Sequence, residues 1–298
     1  MKITIVGEGA WGKALGQVQR KAGHDVAFWS RSNPVLPAQS DAFILAVPAQ
    51  AMQAVVSQLK DGLKHSVLIS TAKGLEQKSG MTMWEIIQHT VTDAEVYALS
   101  GPSFAADVIS GKPTAVTLAG PSLKKAAYWA NELSIPTFRI YPNADIAGVE
   151  IGGATKNVLA IACGISDGQD LGESARAGLI TRGFAELSRY ARGFRAKPQT
   201  LVGLSGLGDL LLTCSSLKSR NYSFGLAIGQ GHTPSEALAA STGVVEGAFT
   251  AGIIAKIAAR HKIDMPIVTA VAAVVDGGSK PGDEIKKLLG RPVRPEHE

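Results

Sequence analysis

A lysine and an asparagine interrupt a strongly apolar stretch of the chain. Lys156 and Asn157 stand within residues 152–160, where the neighbouring residues are small or aliphatic. A charged group in such a helix is costly unless it faces a partner or a cleft. Burial also lowers the pKa of a lysine towards the range that suits proton transfer. Lys156 is therefore a candidate proton donor; the alternative is a surface lysine whose ammonium group extends into solvent.

Two polar features follow further along the chain. Asp209 directly follows the glycine-rich residues 204–208 and precedes three leucines. A carboxylate buried there needs a cation or N–H groups as partners. Ser219, Arg220 and Asn221 are three adjacent hydrogen-bonding residues. An arginine fork matches the geometry of a phosphate, and the serine and asparagine could complete its binding site. Taken alone, however, this trio is equally typical of an ordinary loop.

A glycine fingerprint stands near the N-terminus. Residues 7–12 read Gly-Glu-Gly-Ala-Trp-Gly, directly after a β-branched run and before an amphipathic helix. In this position Gly7 permits a tight turn, Gly9 lets a pyrophosphate approach the backbone, and Gly12 lets the helix pack against the strand. The alternative is that the glycines serve packing alone. We expect a dinucleotide site at this turn.

The end of the next strand bears on which dinucleotide binds. An acid there would bind the 2′-hydroxyl of NAD, whereas an arginine can accept the 2′-phosphate of NADP. The strand ends in Trp29-Ser30-Arg31 without an acid, and Asp25 lies at its opposite end. Arg31 therefore favours NADPH, with NADH as the second cofactor, unless it is only a solvated surface charge.

Elements that could position these residues fall into two halves. Strands alternating with helices predict an α/β fold with a Rossmann-type, doubly wound parallel sheet in residues 1–142. Residues 143–298 show helical periodicity and predict an all-α domain. A hinge is expected at residues 141–143, because proline cannot continue a strand ladder; the tail from Arg291 is expected to be loose. The predicted strands are residues 2–6, 24–29, 41–47, 67–70, 96–99, 115–118 and 137–140, and the clearest later helices are residues 146–166, 175–190, 246–261 and 267–275.

Taken together, these blocks resemble the bacterial-type NAD(P)-dependent glycerol-3-phosphate dehydrogenases, from residue 1 to about residue 290. Further blocks that carry the likeness are residues 72–76, 100–105 and 244–247. The resemblance implies catalytic roles for Lys156, Lys73 and Asp209. It implies substrate contacts at Lys73, Gly101, Ser103, Lys156, Asp209, Ser219, Arg220 and Asn221. It implies cofactor contacts at Gly7, Gly9, Ala10, Trp11, Gly12, Arg31, Lys73, Ala105, Arg220, Val244 and Glu246.

The activity implied by this resemblance is the interconversion of dihydroxyacetone phosphate and sn-glycerol 3-phosphate, which supplies phospholipid synthesis. Lys156 would stabilise the developing oxyanion and supply its proton. Lys73 would add a second positive charge, and Asp209 would orient Lys156. Arg220 and Asn221 would anchor the phosphate, so that remote binding energy positions the carbonyl.

The chain departs from the family pattern in two ways. Ala10 replaces a common serine and Thr155 a usual aliphatic residue. More importantly, residues 32–40 are too few for the helix, edge strand and helix that relatives carry there. Nine extended residues span roughly 30 Å, enough to return to the next parallel strand without a helix. We therefore expect a shortened sheet whose second strand is an edge, and an effect on cofactor choice before any effect on catalysis.

Two other functions remain open from the residues. A β-hydroxyacid dehydrogenase shares the two-domain layout and a catalytic lysine, but it usually carries an asparagine four residues after that lysine, where this chain has Ala160. A non-enzymatic dinucleotide sensor would need the fingerprint but not Lys73, Lys156 and Asp209 together. An assay with dihydroxyacetone phosphate and NADPH separates all three.

The composition of the chain argues against several broad classes of protein. The net charge of +5 comes without a basic run or a nucleic-acid motif, so no nucleic-acid partner is expected. Cys163 and Cys214 are isolated and the six histidines are scattered, so neither a disulfide framework nor a metal is expected. No membrane-spanning segment is expected from the lengths of the apolar stretches, and the N-terminal apolar run ends at Gly7. A cytoplasmic protein is the resulting expectation. A homodimer is possible because helix-rich second domains often dimerise.

Overall fold

The computed structural model describes residues 1–37, 39–293 and 295. Seven strands form one sheet in the order β2-β1-β3-β4-β5-β6-β7. The strands are β1 (Lys2–Val6), β2 (Asp25–Trp29), β3 (Ala42–Leu45), β4 (Val67–Ser70), β5 (Glu95–Ser100), β6 (Thr114–Ala119) and β7 (Phe138–Asn143). The predicted α/β class and the strand positions are confirmed.

The direction of the last two strands differs from the prediction of a parallel sheet. Strands β1 to β5 are parallel, but β6 pairs with β5 antiparallel, and β7 runs parallel to β6. The connection from β5 to β6 contains only the short helix α4 (Ala105–Ile109). An antiparallel neighbour needs no crossover from one end of the sheet to the other, so this connection suffices without a full helix.

Helices cover both faces of the sheet. One core forms between the sheet and helices α1 and α5, and a second forms on the opposite face against α2 and α3. Ile3 and Ile5 of β1 face the first core and Val6 faces the second, as the alternation of a strand buried on both faces requires. These helices are α1 (Ala10–Lys21), α2 (Ala49–Leu59), α3 (Met83–Thr90) and α5 (Leu123–Leu133).

Strand β2 is the edge of the sheet, as the shortened segment predicts. In the described part of the chain, no strand lies beyond it. The indole N–H of Trp29 donates to the carbonyl oxygen of Pro34 at 3.1 Å, so the short segment folds back across the end of β2. The backbone N–H of Asp41 then donates to Lys2 at 2.8 Å, just before β3 begins. The chain thus returns to the sheet without a helix; Ala38 lies outside the described residues.

The predicted hinge at residues 141–143 is wrong in its local structure. Strand β7 continues through Pro142 to Asn143, and Pro142 pairs in register with Leu118 of β6. This is an edge strand, where proline is tolerated because its missing N–H can face away from the neighbouring strand. The first helix of the second half begins at Ile146, with the carboxylate of Asp145 accepting the N–H of Gly148 at 2.9 Å.

The second half is helical, as predicted, and it is built around one buried helix. That helix, α6 (Ile146–Gly168), packs so closely against α10 that a Cβ on Gly164 would lie 2.1 Å from the carbonyl oxygen of Tyr222. The others are α7 (Gly172–Arg192), α8 (Pro198–Leu201), α9 (Asp209–Cys214), α10 (Arg220–Gly229), α11 (Pro234–Ala239), α12 (Glu246–Arg260), α13 (Pro266–Val275) and α14 (Pro281–Leu289). Arg294 and residues 296–298, part of the tail predicted to be loose, lie outside the described residues.

Helix α6 also corrects one sequence-based expectation. It is long and apolar enough to cross a membrane by length and composition, although no such stretch was expected. However, 89% of its most apolar window is buried inside the protein. The same small residues that raise its hydropathy allow neighbouring helices to pack against it.

Candidate active site

A single buried carboxylate holds the two predicted lysines. The ammonium group of Lys156 donates to Asp209 Oδ1 at 2.9 Å and to the hydroxyl of Thr213 at 2.7 Å. The ammonium group of Lys73 donates to Asp209 Oδ2 at 2.7 Å and to the carbonyl oxygen of Gly101 at 2.9 Å. The Asp209 side chain is only 2% exposed. The structure therefore brings together residues that lie far apart in the chain.

The charges of this cluster shift one another's protonation. Burial alone would raise the pKa of Asp209, but the adjacent ammonium groups of Lys156 and Lys73 outweigh it and hold that pKa below its ordinary value. Burial lowers the pKa of Lys156 to about 8; Asp209 opposes this shift and Lys73 adds to it. Lys156 is thus placed to exchange a proton near neutral pH.

Close backbone approach positions Asp209. It begins α9 directly after a π-helical turn at Leu204–Gly208, and this turn presses against α6. A Cβ on Gly152 would lie 2.9 Å from the carbonyl oxygen of Ser205, which is closer than real Cβ atoms approach. Thr213, one helical turn after Asp209, was not identified from the sequence. Its i+4 spacing from Asp209 is the signal that could have identified it.

A chain of amide hydrogen bonds extends from the cluster. The side chain of Asn157 donates to the carbonyl oxygen of Lys73 at 3.0 Å and accepts from the side chain of Asn221 at 3.0 Å. Asn221 accepts in turn from the N–H of Gly247 at 2.9 Å. These bonds fix the backbone of Lys73 relative to α6 and α10. Asn157 was noted only as a polar interruption, because the partners that orient it are distant in sequence.

The remaining members of the Ser-Arg-Asn trio lie at the start of α10. The hydroxyl of Ser219 accepts the N–H of Tyr222 at 3.2 Å, which caps the helix. Arg220 is exposed, and its guanidinium lies beside Gly243, so that a Cβ there would be 2.5 Å from Nη1. Arg220 also lies close enough to the carboxylate of Glu246 to favour its charged form. The phosphate-binding role of the trio stays a prediction.

Glu246 links the helical half to the sheet half. Its Oε1 accepts the N–H of Ala49, the first residue of α2, at 3.0 Å. Its Oε2 is buried and has no hydrogen-bond partner among the residues that the structure describes. Burial raises the pKa of Glu246, and the Ala49 N–H and Arg220 oppose this shift. Beside it, Val244 is more exposed, at 37%. An unpartnered buried oxygen at this place is available to a ligand donor, as the predicted cofactor contact requires.

The fingerprint loop has the shape that a pyrophosphate needs. Gly7 has φ +114° and a Cβ there would lie 2.6 Å from the carbonyl oxygen of Ala46, so only glycine fits. A Cβ on Gly12 would lie 2.0 Å from the carbonyl oxygen of Gly7. Within residues 1–37, 39–293 and 295, a Cβ on Gly9 would meet no atom within 4 Å beyond its chain neighbours, and no side chain caps the N-terminus of α1. The open space and the free N–H groups at Ala10 and beyond fit a dinucleotide.

Gly9 and Gly12 yield a matched pair of substitutions. Gly9→Ala should leave the melting temperature nearly unchanged but weaken dinucleotide binding at least tenfold, because its methyl group points into the space that the phosphates need. Gly12→Ala should also destabilise the fold, since its methyl group meets backbone. Thermal unfolding and NADPH fluorescence titrations measure both. Unchanged affinity in Gly9→Ala would contradict the assigned binding place.

Other predicted contacts lie on separate elements of the sheet half. Ser103 donates to the carbonyl oxygen of Gly101 at 3.0 Å, the oxygen that also accepts from Lys73. Ala105 begins α4, and the half-buried Trp11 lies in the first turn of α1 against the sheet core, with its ring 6.4 Å from that of Phe138. Arg31 is exposed just beyond β2. Of the residues that the structure describes, no group of three or more His, Cys, Asp or Glu side chains could hold a metal ion.

Comparison with known proteins gives one consistent result. The model of the NAD-dependent glycerol-3-phosphate dehydrogenase C-terminus matches residues 145–286, and the model of the N-terminus matches residues 2–37 and 36–126. The break between the last two matches falls in the shortened segment. Glycerol-3-phosphate dehydrogenase [NAD(P)+] of Methylobacterium radiotolerans is 46% identical, covering 99% of this chain and 98% of that protein. The Parvibaculum lavamentivorans relative is 43% identical over 326 aligned positions, with the same coverage.

Solved structures agree with these matches. The crystal structure of glycerol-3-phosphate dehydrogenase from Coxiella burnetii has a TM-score of 0.90 and 34% identity, covering 97% of this chain and 99% of that one. D-mandelate dehydrogenase, at 15% identity and a TM-score of 0.64 over 96% of this chain and 99% of that one, shares the fold alone. These findings favour neither the β-hydroxyacid dehydrogenase nor the dinucleotide sensor. The chain belongs to the NAD-dependent glycerol-3-phosphate dehydrogenase family.

Proposed function

We propose that the protein is an NAD(P)-dependent oxidoreductase that interconverts dihydroxyacetone phosphate and sn-glycerol 3-phosphate. The observation that carries this proposal is the pair of lysines on Asp209. Each ammonium group has three donors, and each uses two of them on partners in the described part of the chain. One donor on Lys156 and one on Lys73 therefore remain for a substrate oxygen. Oxidation of NADPH that depends on added dihydroxyacetone phosphate, followed by absorbance, tests the proposal; no turnover with either cofactor would refute it.

In this mechanism the protein supplies charge, position and a proton. The hydride for the carbonyl carbon would come from a reduced nicotinamide, when one is bound in the cleft. Lys156 donates to the carbonyl oxygen, stabilises the negative charge that develops there, and transfers its proton to it. Lys73 adds positive charge to the same site. Asp209 keeps Lys156 charged and, with Thr213, fixes the direction of its ammonium group.

The residues proposed to hold the cofactor are those of the fingerprint and the cleft. Gly7, Gly9 and Gly12, with Ala10 and Trp11, would bind the pyrophosphate. Ala105, Lys73, Val244 and Glu246 would contact the part of the cofactor that enters the cleft, and Arg220 would reach both ligands. Arg31 would accept a 2′-phosphate, which makes NADPH the preferred cofactor and NADH the second. The ratio of kcat/KM for the two cofactors tests this preference; a strong preference for NADH would refute it.

Arg220 is proposed to anchor the substrate phosphate, with Ser219 and Asn221 beside it and Gly101 and Ser103 completing the substrate site. Arg220→Lys should raise the KM for dihydroxyacetone phosphate about 10- to 100-fold, because an ammonium group cannot make the paired bonds of a guanidinium. The kcat at saturation should fall much less. Arg260→Lys, at the end of α12, provides the same change on the surface as a control. An unchanged KM would remove Arg220 from the phosphate site.

Three broader properties are also proposed. The enzyme would act in the cytoplasm and supply glycerol 3-phosphate for phospholipid synthesis, without a metal and without a nucleic-acid partner. Residues 1–142 and 143–298 would form the dinucleotide-binding and substrate-binding domains. The protein would be a homodimer; sedimentation at micromolar concentration tests this, and a monomer there would contradict it.

A further inference from the structure

A carboxylate lies beside the end of β2, although β2 itself ends without an acid. The hydroxyl of Ser30 donates to Glu8 Oε2 at 2.7 Å. Strands β1 and β2 pair up to Val6 and Trp29, and the N–H of Gly7 still donates to Trp29 at 2.8 Å. Glu8 and Ser30 therefore leave the sheet together at its carboxyl edge. Glu8 is exposed, so its charge faces the space outside this edge.

The shortened segment holds Ser30 in place. The backbones of Ser30 and Asn33 exchange two hydrogen bonds, of 3.1 and 3.0 Å. The side chain of Asn33 also donates to the carbonyl oxygen of Phe28 at 3.3 Å, and the hydroxyl of Ser32 lies 2.9 Å from that of Ser30. This tight turn fixes the hydroxyl that binds Glu8. The position of the Glu8 carboxylate therefore depends on the shortened segment as well as on the fingerprint loop.

We propose that Glu8 takes the place of the acid that β2 lacks and thereby limits the choice of NADPH over NADH. In dinucleotide-binding sheets, the acid at the end of the second strand accepts the ribose 2′-hydroxyl and excludes a 2′-phosphate. Glu8 brings a carboxylate to that place from the neighbouring loop, next to Ser30. Arg31, the residue directly after Ser30, carries the opposite charge. The selectivity for NADPH over NADH then depends on the difference between the attraction of the 2′-phosphate to Arg31 and its repulsion from Glu8.

The proposal rests on the cofactor site of the proposed function, and equilibrium binding tests it without turnover. Dissociation constants of NADPH and NADH are measured by nicotinamide fluorescence at low and high salt. Glu8→Gln keeps the shape and removes the charge. It should shift the affinity ratio about tenfold towards NADPH at low salt, because a carboxylate no longer faces the phosphate, and less at high salt, because exposed charges are screened. NADH binding should weaken severalfold.

Asp25→Asn is the matched control, since it removes the same charge from the opposite end of β2, where Asp25 is exposed. Its affinity ratio should stay within about twofold of the original. An unchanged ratio in Glu8→Gln, or an equal shift in both variants, would overturn the proposal. The outcome is separable from that of the proposed function: a protein that binds both dinucleotides with the expected shift but never reduces dihydroxyacetone phosphate would refute only the latter.

Discussion

Replacement of Lys156 by methionine should lower kcat about 10³- to 10⁴-fold and leave the dissociation constant of NADPH within about twofold of its original value. Methionine keeps most of the side-chain volume but removes the ammonium group that would stabilise and protonate the substrate oxygen. Asp209 retains Lys73 as its partner, so the buried carboxylate is not left alone. The loss should therefore appear in catalysis far more than in folding.

Steady-state kinetics, fluorescence titration and thermal unfolding of the same preparation measure these effects separately. Lys287→Met is the control, because Lys287 lies in α14 with an exposed side chain that pairs only with Glu284 among the described residues. Its kcat should be unchanged. Near-normal turnover in Lys156→Met would refute the assignment of Lys156, whereas a parallel loss of NADPH binding would indicate a collapsed cleft.

The order of elements in the first half was predictable because its physical signals are local. Strands buried on both faces are apolar throughout, as residues 41–47 are, and the fingerprint places the first turn. Strand direction is not local: nothing in residues 114–119 distinguishes a strand that runs antiparallel to its neighbour. Pro142 was placed in a hinge for a related reason, since its tolerance depends on β7 being an edge, which only the assembled sheet determines.

The residues of the candidate site also differ in whether the sequence alone could identify them. Lys156 and Asp209 were identifiable because each is a charge among apolar neighbours, and each such charge requires a partner. Their mutual contact follows from that requirement. The bonds from Asn157 to Asn221 and from Ser30 to Glu8 were not predictable, because they depend on the register between elements. Which residues distant in the chain meet is determined by how the helices and strands pack against one another.

Replacement of Asp209 by asparagine should lower both activity and stability, and it should shift the pH profile. The free energy of unfolding should fall by about 3–5 kcal/mol, because two ammonium groups lose the buried carboxylate that compensates them. Asp209 has a lowered pKa, so its contribution is present above the unfolded pKa and is lost as the pH falls through the folded value. The difference between the two proteins should therefore shrink in acid.

The pH dependence of kcat/KM tests the role of Asp209 more directly than stability does. The acid form of Lys156 is needed for reduction, so kcat/KM for dihydroxyacetone phosphate should fall above a pH of about 8 in the original protein. Without Asp209, burial and Lys73 act unopposed and the pKa of Lys156 falls further, so this decline should begin at a lower pH. Asp107→Asn is the control for stability, since Asp107 also pairs with two lysines, Lys112 and Lys218, but at the surface, where its loss should change the free energy of unfolding far less. A pH profile that Asp209→Asn leaves in place would show that this carboxylate does not govern the protonation of Lys156, and the proposed proton donor would have to be sought elsewhere in the cleft.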